Sequence, residues 1–106
     1  MNLKKNKILV LGSTGFFGSN FCRKLEEKKI EFSTLTKKQC DLLNYEVSYK
    51  KIKRINPSII FNFAGKVGGI DFNINKPAEI IFNNVKITLN LFQISSKLNI
   101  KRLVNI

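Results

Sequence analysis

The sequence predicts an α/β fold, a doubly wound parallel sheet. Two observations carry this. Short apolar runs, KILVL (7–11), SIIFNFAG (58–65) and KRLVNI (101–106), recur along the chain, and helical apolar periods separate them. The runs at 7–11 and 58–65 are continuous rather than alternating, as strands covered on both faces require. Strand and helix alternate as β-α-β-α-β-α-β, an order that calls for parallel strands joined by right-handed crossovers. The predicted strand order is 2-1-3-4.

Taken in order, KILVL is bounded by Gly12 and reads as a buried strand. From Phe16 to Lys29 the period becomes helical. Phe17, Phe21, Leu25 and Lys28 fall on one face with Cys22 beside them, and Arg23, Lys24, Glu26 and Glu27 lie mostly opposite. IEFSTLT (30–36) alternates apolar and polar with β-branched residues and reads as a second strand. A helix over about 45–54 ends before Pro57. SIIFNFAG closes on Gly65, and a loop rich in Gly and Asn leads to Pro77. Pro77 opens a long helix to about Leu98 that carries Ile80, Ile81, Val85, Ile87, Leu91, Ile94 and Leu98. KRLVNI begins a fourth strand. The chain stops inside it, so the 106 residues are expected to be the N-terminal portion of a longer protein, with the sheet incomplete and no substrate-binding domain.

Composition narrows the function classes. A chain of 106 residues is enough for one small domain. No apolar run approaches the roughly 20 residues of a membrane span, and the apolar run near the N-terminus is too short for a signal peptide. The expected setting is the cytoplasm, with no membrane partner. Cys22 and Cys40 stand without any histidine in the chain, so a metal site lacks ligands and both read as small apolar fillers. The net charge of +12 raises nucleic acid as a partner. However, the lysines come in scattered pairs at the ends of apolar segments, and aromatic residues do not alternate with them as a base-stacking surface requires. Nucleic-acid binding is not the expected role.

GSTGFFGSN (12–20) joins the first strand to the first helix. Gly12 permits a tight turn, Gly15 removes the side chain where a pyrophosphate meets the backbone, and Gly18 lets the helix pack close to the strand. The N–H groups of Ser13, Thr14, Phe16 and Phe17 and the helix dipole then favour an anion. Strand before and helix after make this the context of a Rossmann dinucleotide fingerprint, spaced G-x-x-G-x-x-G.

That spacing resembles the extended, nucleotide-sugar-modifying branch of the short-chain dehydrogenase/reductase superfamily. CDLLN (40–44) is similar to its Asp-Leu-x-Asp motif, with Asn44 in place of the final Asp; the resemblance implies that Asp41 and Leu42 border an adenine. Ala64-Gly65 stands where the branch has Ala-Ala, and Asn84 and Asn90 fall within the long helix as they do there. GKVGGIDFNINKPAEIIFNN (65–84), which includes Lys66, closely resembles the Val-Gly-Gly-Ile segment of the GDP-L-fucose synthase family. Gly68 and Gly69 would let that loop approach a ligand.

The likeness runs from about Lys7 to Ile106 and covers only the N-terminal portion of a typical member. It implies a nicotinamide cofactor, a GDP-linked nucleotide-sugar substrate and a homodimer of the full-length protein. The implied reaction takes GDP-4-keto-6-deoxy-mannose to GDP-L-fucose by epimerisation at two carbons followed by reduction. Thr36-Lys37-Lys38 follows the second strand, where an NAD site commonly has an acidic residue. Lysine there suits a 2′-phosphate, so NADP is expected in preference to NAD. The family's second basic residue within the glycine turn is replaced here by Thr14.

Tyr49 and Lys53 match the superfamily's catalytic Tyr-x-x-x-Lys spacing. They lie before the third strand, on a helix away from the expected nicotinamide end, and read as a packing tyrosine and a solvated lysine. The family's catalytic residues lie past Ile106, so no catalytic residue is expected among the 106 and the chain alone is expected to be inactive. Two alternatives remain open: another extended nucleotide-sugar epimerase, dehydratase or reductase, or a non-catalytic dinucleotide-binding module.

Overall fold

The computed structural model describes residues 2–65 and 77–106. A short 3-10 turn at Leu3–Lys5 precedes β1 (Ile8–Leu11). There follow α1 (Phe16–Glu27), β2 (Ser33–Leu35), α2 (Tyr45–Ile55), β3 (Ile59–Asn62), α3 (Pro77–Lys97) and β4 (Arg102–Asn105). The four strands form one parallel sheet in the order β2-β1-β3-β4, as expected. Leu9 sits beside Ser33 on one side and Ile60 on the other, and Ile60 sits beside Leu103. The order reverses at β1, so β1 and β3 open their carboxyl ends into a shared crevice, the usual ligand position in such sheets.

The period-2 alternation of a strand divides the apolar residues between two cores. Leu9, Leu11 and Ile60 pack with Ile52 of α2 and with Ile87, Leu91 and Ile94 of α3. Ile8, Val10, Ile59 and Phe61 point to the other face and pack with Cys22 and Leu25 of α1 and with Ile30. Each fully buried Leu or Ile contributes about 1.5–3 kcal/mol of apolar transfer. Both cysteines are free and buried. No helix among the described residues is long and apolar enough to cross a membrane.

Two expectations need correction. The strand expected over 30–36 is confined to Ser33–Leu35. Lys29 takes a left-handed φ of 56°, and the Ile30 N–H turns back to the Leu25 carbonyl at 2.9 Å, so the first residues after α1 belong to its C-terminal cap. The face expected on α1 is also rotated. Gly18, Cys22 and Leu25 are buried, whereas Phe17 is 71% exposed. Gly18 brings its own side of the helix against the glycine turn, and Phe17, about 100° away around the axis, is carried outward. On α3, Ile87, Leu91 and Ile94 face the sheet, while Ile81, Phe82, Val85, Leu89 and Phe92 form an outward apolar stripe.

Candidate cofactor cleft

At the carboxyl ends of the strands lies a cleft of about 400 Å³. Gly12, Ser13, Thr14 and Gly15 form one wall. Gly12 has φ +74°, and a Cβ there would stand 2.5 Å from both the Ala64 nitrogen and the Phe63 carbonyl carbon. Only glycine lets the end of β1 lie against the end of β3 in this way. At Gly18 a Cβ would fall 1.9 Å from the Gly12 carbonyl oxygen, so this glycine seats α1 on the turn. Gly15 differs from both. An added Cβ there would meet only the Gly12 oxygen at 3.6 Å, an ordinary contact that a side chain could accommodate.

Gly15 is also the N-cap of α1, so the cap makes no side-chain bond to the first-turn N–H groups, and that turn holds no acidic residue. A helix start of this kind presents donors and a partial positive charge to an anion.

The second wall follows β2. Leu35, Thr36 and Lys37 line the cleft. The Thr36 N–H donates to Gln39 Oε1 at 2.9 Å, and the Thr36 carbonyl accepts the Gln39 and Cys40 N–H groups. This closed turn fixes the backbone and leaves Lys37 exposed at the rim. No carboxylate occupies Thr36, Lys37 or Lys38.

Asp41 and Leu42 line the cleft beside Cys40 and Leu43. Asp41 Oδ1 accepts the Leu43 N–H at 3.0 Å, so the carboxylate shapes its own turn. Asn44, which stands in place of the motif's final Asp, accepts the Val47 N–H on its Oδ1 at 3.1 Å and caps α2. Buried Asn90 of α3 donates to the Leu42 carbonyl at 2.9 Å and the Leu43 carbonyl at 3.3 Å, tying this strap to the core.

Ala64 and Gly65 complete the floor with Phe63, and Asn83 and Ile87 contribute from α3. Asn84 lies next to this lining, with its Oδ1 3.4 Å from where a Gly65 Cβ would stand. The structure therefore brings Gly12, Ser13, Thr14, Gly15, Lys37, Asp41, Leu42, Ala64 and Gly65 together around one cleft. Phe16 and Phe17 do not join them: their side chains are 75% and 71% exposed and stack edge-to-face on each other. Lys66, with Gly68 and Gly69, lies outside the described residues.

Cys40, Leu43 and Phe63 were not anticipated as lining, although they flank residues that were. Asn83 and Ile87 gave no separate signal, since the helical period marks Ile87 only as core.

Tyr49 is half-buried on α2, stacked on Tyr45, with Lys97 Nζ 4.9 Å and Lys53 Nζ 5.7 Å from its ring centre. It does not line the cleft. The Tyr-x-x-x-Lys spacing is here a packed, cation-flanked ring.

A four-stranded parallel sheet with a glycine-walled cleft at its switch point defines a Rossmann-type nucleotide-binding unit. Residues 8–106 match the model of the NAD dependent epimerase/dehydratase family, and the chain belongs to that family. It is 35% identical over 100 residues to the GDP-L-colitose synthase of Yersinia pseudotuberculosis, covering 94% of this chain and 32% of that protein. It is 30% identical over 103 residues to the GDP-L-fucose synthase of Azorhizobium caulinodans, covering 97% and 33%. Among solved structures, the GDP-mannoheptose C4 reductase of Campylobacter jejuni with NADP bound superposes with a TM-score of 0.89 at 26% identity, covering 99% of this chain and 31% of that one. The chain thus spans about a third of the length of these relatives.

Proposed function

We propose that this chain is the cofactor-binding portion of a cytoplasmic, NADPH-dependent GDP-sugar epimerase/reductase. The observation that carries the reading is the cleft itself, which pairs the start of α1, capped by no side chain of its N-cap residue Gly15, with exposed Lys37 and no carboxylate at residues 36–38. The N–H groups of the turn and of the first turn of α1, including those of Phe16 and Phe17, would hold the pyrophosphate. Lys37 would pair with the 2′-phosphate, a charge-assisted bond worth about 1.5–3 kcal/mol. Leu35, Leu42 and Leu43 offer an apolar slot to the adenine. Ala64 and Gly65 border the path toward the nicotinamide, with Asn84 beside them and Lys66 next in sequence. The bound cofactor supplies a hydride; this chain's residues bind and orient it and exclude water from its adenosine half.

The likeness to the Azorhizobium protein supports the fucose-type reaction, GDP-4-keto-6-deoxy-mannose to GDP-L-fucose, as the finer reading. A colitose-type GDP-sugar is the second reading, favoured by the 35% identity to the Yersinia protein. The proposal extends to a homodimer of the full-length protein, supported by the outward apolar stripe of α3; sedimentation of that protein checks it. For the cofactor, Lys37→Ala in the full-length protein should weaken NADPH binding about tenfold or more, the equivalent of about 1.4 kcal/mol, and leave NADH binding nearly unchanged. Equal losses for both would show that Lys37 does not read the 2′-phosphate. Turnover of GDP-4-keto-6-deoxy-mannose with NADPH, with product identification, decides the sugar.

A further inference from the structure

Asn62 is the last residue of β3 and is 1% exposed, in a register where its β1 neighbour is Leu11. An amide has no place in such a position unless its hydrogen bonds are made. They are made in two directions. Oδ1 accepts the Ala64 N–H at 2.9 Å, and Nδ2 donates to Asn105 Oδ1 on β4 at 2.6 Å. A backbone N–H can only donate, so the first bond fixes which end of the amide faces Ala64, and hence which end faces Asn105. Asn105 in turn reaches Thr88 Oγ1 of α3 at 3.5 Å, and Thr88 donates to the Asn84 carbonyl at 3.0 Å.

The segment that Asn62 holds is the one Gly12 packs against. Contact with Gly12 limits Phe63 and Ala64 from the β1 side, and the Asn62 amide pins Ala64 from within β3. The floor of the cleft at Ala64 and Gly65 is thereby tied to the carboxyl end of β4, which does not itself line the cleft.

We propose that Asn62 is a positioning residue: through Ala64 on one side and Asn105 on the other, it couples the cofactor floor after β3 to the end of β4. The proposal rests on the dinucleotide reading of the cleft.

The test uses the full-length protein, with NADPH affinity measured well below each variant's melting temperature. Asn62→Leu should weaken NADPH binding about tenfold. Asn105→Leu, outside the cleft, should weaken it about threefold to fivefold, and this variant keeps the test decisive should the first fail to fold. The double variant should lose less than the product of the two. Affinities within twofold of wild type for Asn105→Leu, or for a folded Asn62→Leu with only a lowered melting temperature, would leave the amide a merely structural group and overturn the proposal. Failure of the wild-type protein to bind NADPH or NADP would instead overturn the dinucleotide reading itself.

Discussion

The three glycines of the turn make different contacts, so changing each to alanine should give three different results. At Gly12 the new Cβ meets backbone at 2.5 Å on a residue held at φ +74°. Left-handed backbone costs an L-residue about 1–2 kcal/mol, and overpacking adds about 1–3 kcal/mol. A loss of about 2–5 kcal/mol is then expected, a large share of the roughly 5–15 kcal/mol that holds a domain together. At Gly18 the Cβ lies 1.9 Å from the Gly12 oxygen and 2.8 Å from the Gly12 carbonyl carbon. Relief requires α1 to move off the turn. The same overpacking range applies, offset by about 1 kcal/mol because alanine favours the helix more than glycine does.

Gly15 has an ordinary extended φ of −77° and only a 3.6 Å neighbour, so Gly15→Ala should change stability by less than about 1 kcal/mol. Its effect should appear instead in binding, as about a tenfold loss of NADPH affinity, because the methyl occupies the space left for a phosphate. Urea unfolding of all three variants and NADPH titration of the full-length protein separate the two kinds of effect. A Gly15→Ala protein as destabilised as Gly12→Ala would refute the packing argument. One that binds NADPH like wild type would refute the phosphate assignment.

Asn44→Ala removes the cap of α2 and should cost about 1 kcal/mol in unfolding free energy. Asn90→Ala leaves the Leu42 and Leu43 carbonyls without their side-chain partner and should cost about 1–3 kcal/mol, read by the same unfolding assay. Burial first, and the nearby Glu26 carboxylate second, push the Cys22 thiol above its ordinary value of 9.0. As pH rises past 9.0 the unfolded chain therefore releases a proton that the folded chain keeps, so stability falls; Cys22→Ala should flatten that fall in unfolding curves taken on either side of this pH. Tyr49→Phe should leave turnover by the full-length enzyme unchanged, since the ring packs between lysines away from the cleft.

Strand order and the two cores were legible because the signals are local and redundant. Continuous apolar runs mark the two central strands, and glycine or proline bounds most elements. The cleft was legible where backbone demands set the residue type, in the glycine turn of Gly12, Gly15 and Gly18. Side-chain direction was less legible. Phe17 fits the apolar period of α1 as well as Phe21 does, and only the seating of Gly18 on the Gly12 carbonyl decides which of the two turns inward. Ile81 and Val85 fit the period of α3 equally well, yet they lie outward because Ile87, Leu91 and Ile94 take the sheet. Asn62 could not be read at all, since its partner Asn105 lies 43 residues away and meets it only through β3–β4 pairing.

Three asparagines set the backbone around the cleft. Asn44 caps α2, Asn90 holds the Leu42 and Leu43 carbonyls, and Asn62 pins the floor at Ala64. Each binds a main-chain group through its side-chain amide, Asn62 also bonding the Asn105 side chain, and the glycines act by leaving main-chain groups uncovered. The wall proposed to face a pyrophosphate is therefore backbone, whose donors do not depend on side-chain identity. On the proposed reading one cleft side chain carries the choice between cofactors: Lys37, set on the closed turn after β2. Exchanging lysines elsewhere on this +12 surface should leave cofactor choice unchanged, whereas Lys37→Asp should lower the NADPH-to-NADH affinity ratio by at least tenfold.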